Sequence, residues 1–142
     1  MDHFAELLVL TLAAGTPLVY AALGELVTEK SGVLNLGVEG MMLVGAVVSF
    51  VVAATTKNPW LGVGAGIAAG AALSAVFAVL ALSLMANQVA TGLALSLFGV
   101  GLSAFVGLDY VSVVVEGIQP LAIPGLSDLP VVGKLNERLG ST

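Results

Sequence analysis

The sequence predicts an all-α protein: a polytopic transmembrane helical bundle of about four membrane segments, followed by a Pro- and Gly-rich extramembrane tail. Hydrophobic residues make up 58% of the 142 residues and charged residues only 9%, whereas a soluble domain carries about 25% charged residues. The 51 residues between Lys57 and Asp109 contain no Asp, Glu, Lys or Arg. Because one crossing takes about 20 residues, this run must fold back at least once, and the chain is expected to be embedded in a lipid bilayer.

The first predicted segment covers residues 4–24 and is uncharged from residue 7 onward. Pro17 lies inside it and predicts a kink. Asp2 and Glu6 precede the apolar stretch, which is the wrong sign of charge for a signal peptide. We therefore expect a retained transmembrane helix. A polar, glycine-containing region follows at residues 25–39 and is expected to interrupt the helical structure.

Three further segments are predicted at residues 38–56, 61–86 and 88–108. A turn at residues 57–59 separates the first two of them, and Trp60 suits the membrane interface. Two amide side chains separate the last two.

The transmembrane region is thus predicted to cover residues 1–108, and residues 109–142 are predicted to form an extracytoplasmic or interfacial tail. Pro and Gly are frequent in this tail, and charged residues return. One short helix is expected at Val131–Leu139. A strand at Tyr110–Val115 is disfavoured beside a membrane.

A face of small residues is predicted on the third segment. Gly62, Gly66 and Gly70 are spaced four apart, so they fall on one side of a helix. Small residues let helix backbones approach closely in lipid, and this favours a helix-packing face over the simple abundance of glycine in membrane helices. The sequence leaves open whether the partner helix belongs to this chain or to another.

Composition excludes several kinds of site. Cysteine is absent and His3 is the only histidine, so thiolate metal sites and disulfides are excluded, and no metal or cofactor is expected. Hydroxyl side chains lack a neighbouring base that could activate them, so no catalytic residue is predicted and the chain is not expected to be an enzyme. Four scattered Lys and Arg residues in a chain of net charge -5 argue against nucleic-acid binding.

Residues 31–45, with the sequence SGVLNLGVEGMMLVG, form the most informative stretch. Asn35 and Glu39 are four apart and would share a face of a helix. The neighbouring glycines permit a broken helix, and broken helices in membranes line cavities. A solvated loop is the alternative, and the residues alone do not decide between the two.

Four blocks in this order carry a family resemblance. They are TPLVYAALGELVTEKSGVLNLGVEGMMLVGA from Thr16, NPWLG from Asn58, NQVATGLALSL from Asn87 and IPGLSDLPVVG from Ile123. The chain resembles the inner-membrane permease subunits of bacterial ABC importers for nucleosides and simple sugars, a group that includes the ribose and branched-chain amino-acid permeases. The SGVLNLGVEGMML block, followed by IPGLSDLP, is the part most typical of the nucleoside branch.

The resemblance implies that the chain forms part of the translocation path for nucleosides or related simple sugars. It also implies a second permease subunit, a separate cytoplasmic ATPase subunit that hydrolyses ATP, and a substrate-binding protein. The chain ends at Thr142, well short of such permeases, so the resemblance covers an N-terminal half. The half that docks on the ATPase is expected to be absent.

Within this frame we expect the substrate path to include Asn35, Glu39, Asn87 and Gln88. Polar groups in hydrocarbon are costly unless they pair or line a cavity, and amides can donate to and accept from a nucleoside. Glu39 could instead pair with Lys30 or stabilise a helix N-terminus.

Two other functions compete with the permease interpretation. A small four-helix multidrug-type exporter would have a similar length, but it would carry a carboxylate midway along its first helix. Here Glu25 stands at the end of that segment instead. A non-transporting membrane assembly protein would need only the glycine face.

The expected orientation places Lys30 on the cytoplasmic side by the positive-inside tendency. Four crossings would then put the N-terminus and the tail outside. Lys57, Lys134 and Arg138 count against this orientation, whereas the IPGLSDLP block, which is extracytoplasmic in the relatives, supports it.

Overall fold

The computed structural model describes residues 2–115 and Ile118. This part of the chain contains helices and no strand, and four of its helices are long and apolar enough to cross a membrane. The predicted fold class is therefore confirmed. The elements are α1 Asp2–Lys30, α2 Val38–Thr56, α3 Pro59–Ala78 continued by a π-helical turn at Val79–Ser83, and α4 Gln88–Gly107 continued by a 3₁₀ turn at Leu108–Tyr110.

Two compact units divide the chain. Of the described residues, 2–16 and Ile118 belong to the first unit, and residues 2–16 form the start of α1. Residues 17–115 belong to the second, which holds the rest of α1 and all of α2, α3 and α4; the packing described below lies within it. Of the expected tail, residues 109–115 and Ile118 are described; the short helix expected at Val131–Leu139 lies outside the described residues. Beyond Tyr110, residues 111–115 form a turn and irregular backbone.

α1 is longer than the sequence predicted, because it continues through Glu25–Lys30. The helix ends where Gly32 adopts a left-handed conformation, with φ of 80°. The Val33 amide then donates to the Thr28 carbonyl at 3.0 Å, which is the pattern of a glycine-terminated helix. The break in the helix is thus confined to the residues between Lys30 and Val38.

α2 and α3 form an antiparallel hairpin. The Asn58 side chain accepts hydrogen bonds from the first amides of α3, and Pro59 stands at the first helical position, where its missing N–H costs nothing. A Cβ atom added to Gly62 would lie 2.6 Å from the Ser49 carbonyl oxygen. One added to Gly66 would lie 2.8 Å from the Gly45 carbonyl oxygen.

The predicted glycine face therefore lies against α2 of the same chain at two of its three positions. At Gly70, the third position, the nearest atom to an added Cβ is the Met41 carbonyl oxygen at 3.9 Å, an ordinary contact distance. The energetic importance of this face stays a prediction.

α4 packs against the other side of α2 and runs in the same direction. Gly40 of α2 lies against Ser96 of α4, where an added Cβ would be 2.6 Å from the Ser96 Cα. Gly99 lies equally close to Gly40. α2 is thus the central helix, with α3 and α4 on its two sides. The small buried cluster between these helices consists of Met41, Phe77, Ala81 and Leu95.

The connection between α3 and α4 is a tight turn inside the uncharged run. The π-helical turn ends with the Leu84 amide donating to the Val79 carbonyl at 3.0 Å. Met85 then adopts a left-handed conformation with φ of 53°. The Asn87 side chain accepts from the Ala90 amide at 3.0 Å and starts α4. The third helical segment therefore ends before residue 86, because the chain needs these residues to reverse direction.

Candidate functional site

The candidate site is built around the residues that join α1 to α2. We call residues 31–37 the connecting segment. It leaves α1 at Ser31, turns back along that helix, and then runs beside the beginning of α4. Asn35 donates its backbone N–H to the Glu25 Oε1 at 3.1 Å. Because Glu25 stands five residues before Lys30, this bond shows that the segment turns back toward α1.

Two side chains of α4 hold the connecting segment from the other side. The Leu34 N–H donates to the Gln88 Oε1 at 2.8 Å. The Ser96 hydroxyl donates to the Leu36 carbonyl at 2.8 Å. Each of these bonds pairs a backbone group that has no partner within a helix. Unpaired backbone groups cost free energy in a low-dielectric medium.

Gly92 makes this approach sterically possible. It lies between Gln88 and Ser96 on the same face of α4, at a spacing of four residues. A Cβ atom added to Gly92 would lie 2.8 Å from the Leu36 amide nitrogen and 3.0 Å from the Gly37 amide nitrogen. The bare backbone at Gly92 is thus a shallow groove that the connecting segment fills.

Asn35 is the buried polar side chain of the site. Only 5% of its surface is exposed. Its Oδ1 accepts the Gly37 N–H at 3.0 Å, which is the local turn that Asn favours. Its Nδ2 faces the Met41 sulfur at 3.6 Å. This side chain therefore shapes the backbone at the start of α2.

The structure brings some of the predicted site residues together and separates others. Asn35 and Gln88 lie close to each other, because Gln88 binds the residue next to Asn35. Asn35 and Glu39 do not share a helical face, since α2 begins at Val38. Glu39 is exposed in the first turn of α2, where the helix dipole favours a carboxylate. Asn87 is exposed and caps α4.

Two residues of the site were not predicted from the sequence, namely Glu25 and Ser96. The sequence placed Glu25 at the end of a helix. Ser96, a single serine within an apolar helix, gave no signal of a polar contact. The spacing of Gln88, Gly92 and Ser96 could have indicated the face of α4 that receives the connecting segment. No comparable pattern points to Glu25, because its contact with Asn35 depends on the reversal of the chain at Gly32.

The chemistry that the site offers is hydrogen bonding. The Glu25 Oε1 accepts the Asn35 N–H at 3.1 Å, while the Thr28 hydroxyl donates to the Glu25 backbone carbonyl at 2.8 Å and lies 3.2 Å from the Glu25 Oε2. Within residues 2–115, no three His, Cys, Asp or Glu side chains gather closely enough to hold a metal ion. α2 and α4 both begin at this end of the bundle, so their positive dipole ends face the same region.

Comparison with known proteins identifies the family. The family described as the permease component of branched-chain amino acid transport systems matches residues 7–121. A putative glucose ABC transporter permease protein of Haloferax volcanii is 51% identical over 138 residues, which are 94% of this chain and 42% of that protein. A guanosine ABC transporter permease protein of Bacillus subtilis is 36% identical over 136 residues, or 88% of this chain and 43% of that protein.

A nucleoside ABC transporter permease protein of Lactococcus lactis is 32% identical over 134 residues, which cover 87% of this chain and 42% of that protein. No solved structure matches the chain significantly. The chain spans less than half the length of these curated relatives. The match over residues 7–121 agrees with four membrane-spanning helices, and the chain belongs to the family of branched-chain amino acid transport system permease components.

Proposed function

We propose that this chain is the part of an ATP-driven importer permease that contributes the connecting segment to the translocation path, and that the cargo is a nucleoside or a related simple sugar. The observation that carries the proposal is the connecting segment itself. It is a non-helical stretch between two membrane-spanning helices. Irregular backbone of this kind is tolerated in membranes where it is buried in protein or lines a cavity.

The polar groups at this end of the bundle suit such a cargo. Asn35, Glu39, Asn87 and Gln88 all lie where α2 and α4 begin. A nucleoside or sugar presents hydroxyl groups, and a nucleobase presents donor and acceptor edges. Amides and a carboxylate can bind these groups by hydrogen bonds. The names of the relatives, which mention glucose, guanosine and nucleosides, point to the same class of cargo.

Among these residues Glu39 is the best placed to meet a substrate directly. It is exposed, whereas Asn35 is buried in a turn and Asn87 caps a helix. We therefore propose that Glu39 contacts the cargo, and that the three amides shape and line the path around it.

We propose that further subunits complete the importer. We propose a second permease subunit, a cytoplasmic ATPase subunit that supplies the energy, and a substrate-binding protein that delivers the cargo, all at the inner (cell) membrane. Family membership supports a permease role over the small multidrug-type exporter and the non-transporting assembly protein.

Uptake in a full-length relative tests this proposal. The residue aligned with Glu39 is changed to Gln, and uptake of labelled guanosine and glucose is measured at matched expression. We expect a loss of about tenfold in apparent affinity for the transported cargo, since hydrogen bonds to a charged group contribute about 1.5–3 kcal/mol. The matched control is Glu29→Gln, an exposed carboxylate on α1, which should leave uptake unchanged.

The three amides are tested in the same way with Asn35→Ala, Asn87→Ala and Gln88→Ala. If Glu39→Gln and all three amide variants transport both compounds as the parent does, these residues do not line the path. Equal losses in Glu29→Gln and Glu39→Gln would instead indicate a general effect of charge at the membrane surface.

A further inference from the structure

From the contacts of the connecting segment we infer that Gln88 and Ser96 are positioning residues that fix this segment to α4. Glu25 holds the segment to α1 through a hydrogen bond that opens and closes. The inference rests on the proposed function in one respect: it explains how the segment could stay in register with α4 while its contact with α1 opens and closes. Its structural part can be tested without any transport.

Two hydrogen bonds and a close backbone contact attach the segment to α4. Gln88 and Ser96 bind the backbone on both sides of Asn35, through the Leu34 N–H and the Leu36 carbonyl. Between these two bonds the segment rests on the bare backbone of Gly92. A movement of the segment away from α4 would have to break both hydrogen bonds and empty the groove at once.

Apart from the turn that ends α1, a single hydrogen bond attaches the segment to α1. This bond joins the Asn35 N–H to the Glu25 carboxylate. The Asn35 side chain faces the other way, toward Gly37 and Met41 at the start of α2. If α1 shifts relative to α2 and α4, the contact at Glu25 is the one that gives way, and the segment stays with α4.

Cysteine reactivity and hydrogen exchange separate the two attachments, and the parent chain contains no cysteine. Single cysteines are placed at Leu34 and Leu36 on the segment, which are 39% and 42% exposed, and the attachment to α1 is followed by hydrogen exchange of the Asn35 N–H, which the Glu25 carboxylate accepts. The full 142-residue chain is reconstituted in lipid vesicles, and the rate of maleimide labelling is measured. A cysteine at Leu61, exposed at the start of α3, gives the labelling rate of an unprotected thiol.

We expect Gln88→Leu and Ser96→Ala each to raise the labelling rate at positions 34 and 36 by about fivefold, as the loss of one hydrogen bond allows. Glu25→Leu should speed hydrogen exchange of the Asn35 N–H, which loses its acceptor, and leave labelling at positions 34 and 36 within about twofold of the parent. Glu25→Gln and Gln88→Glu keep the accepting oxygen and should restore the parent rates. Glu29→Leu, on the same helix but exposed, should change nothing.

The groove supplies a second, independent variant. Gly92→Ala places a Cβ against the segment and should raise labelling at position 36, whereas Gly101→Ala on the same helix meets nothing within 4 Å and should not. The inference is overturned if Glu25→Leu frees positions 34 and 36 as much as Gln88→Leu does, or if neither Gln88→Leu nor Gly92→Ala frees them. It stands if the labelling pattern is as expected, even where the uptake experiment removes Glu39 from the path.

Discussion

Individual amide side chains determine much of the local structure in a chain with so few charges. Asn58 and Asn87 each begin a helix by accepting backbone N–H groups, and Asn35 forms the turn that leads into α2. The sequence indicated Asn35 and Asn87 as polar interruptions of apolar stretches and assigned them to a substrate path. What it could not indicate was their backbone partners, since the same residue types serve as caps and as ligands.

At this scale the cap at Asn87 gives a direct prediction. Asn87→Ala removes the acceptor of the Ala90 N–H and should lower the free energy of unfolding by about 1 kcal/mol, the usual cost of losing an N-terminal cap. Asn87→Asp and Asn87→Ser retain an accepting oxygen and should remain close to the parent. Thermal unfolding in detergent, together with hydrogen exchange at the first turn of α4, measures both effects. Unchanged stability and unchanged exchange in Asn87→Ala would show that the cap contributes nothing.

Whole helices were predictable where the apolar run was long, and less so where polar residues met the membrane edge. The structure begins α2 at Val38 and α4 at Gln88, and it continues α1 to Lys30. The contact of Glu25 with the Asn35 N–H had no signal in the sequence. No pattern in the sequence predicted the π-helical turn at Val79–Ser83. This turn lies where α3 ends and the chain turns toward α4.

The contact between α2 and α3 is the element-scale feature most open to test. Gly66→Leu would drive a side chain into Gly45 and Ser49 and should destabilise the hairpin by about 1–3 kcal/mol, the range for overpacking. Gly64→Leu is the matched control, because nothing lies within 4 Å of a Cβ at that position on the same helix.

Denaturation in a mixed detergent series compares the two variants. Gly66→Leu should unfold at a clearly lower denaturant fraction than the parent, and Gly64→Leu should unfold at or above the parent value because leucine is the better helix former. Equal behaviour of the two variants would mean that the glycine face does not hold α3 against α2.

For the molecule as a whole, the packing fixes which connections share an end of the bundle. α2 runs antiparallel to α3 and parallel to α4, so the connecting segment and the turn before Asn87 lie at one end, and Lys57 lies at the other. The structure thus determines which connections lie at the same end of the bundle. Which end faces the cytoplasm depends on the asymmetry of the membrane, and we propose that the end at Lys30 does.

Orientation is tested with exposed positions at the two ends. A membrane-impermeant maleimide should label Thr56→Cys in intact cells and Ser31→Cys only after the cells are opened; both parent residues are exposed, and the parent lacks cysteine. Labelling of Ser31→Cys in intact cells, with Thr56→Cys protected, would reverse the assignment and place the connecting segment on the outer side.

The tight turn between α3 and α4 has a consequence for the order in which hydrogen bonds form during synthesis. Within this turn the Leu84 and Ala86 N–H groups are paired with carbonyls of the preceding helix, and the Ala90 N–H is paired with the Asn87 side chain. All three partners lie within six residues of the group they pair in the chain. These three hydrogen bonds can therefore form as soon as the start of α4 has been synthesised, before the rest of that helix packs against α2.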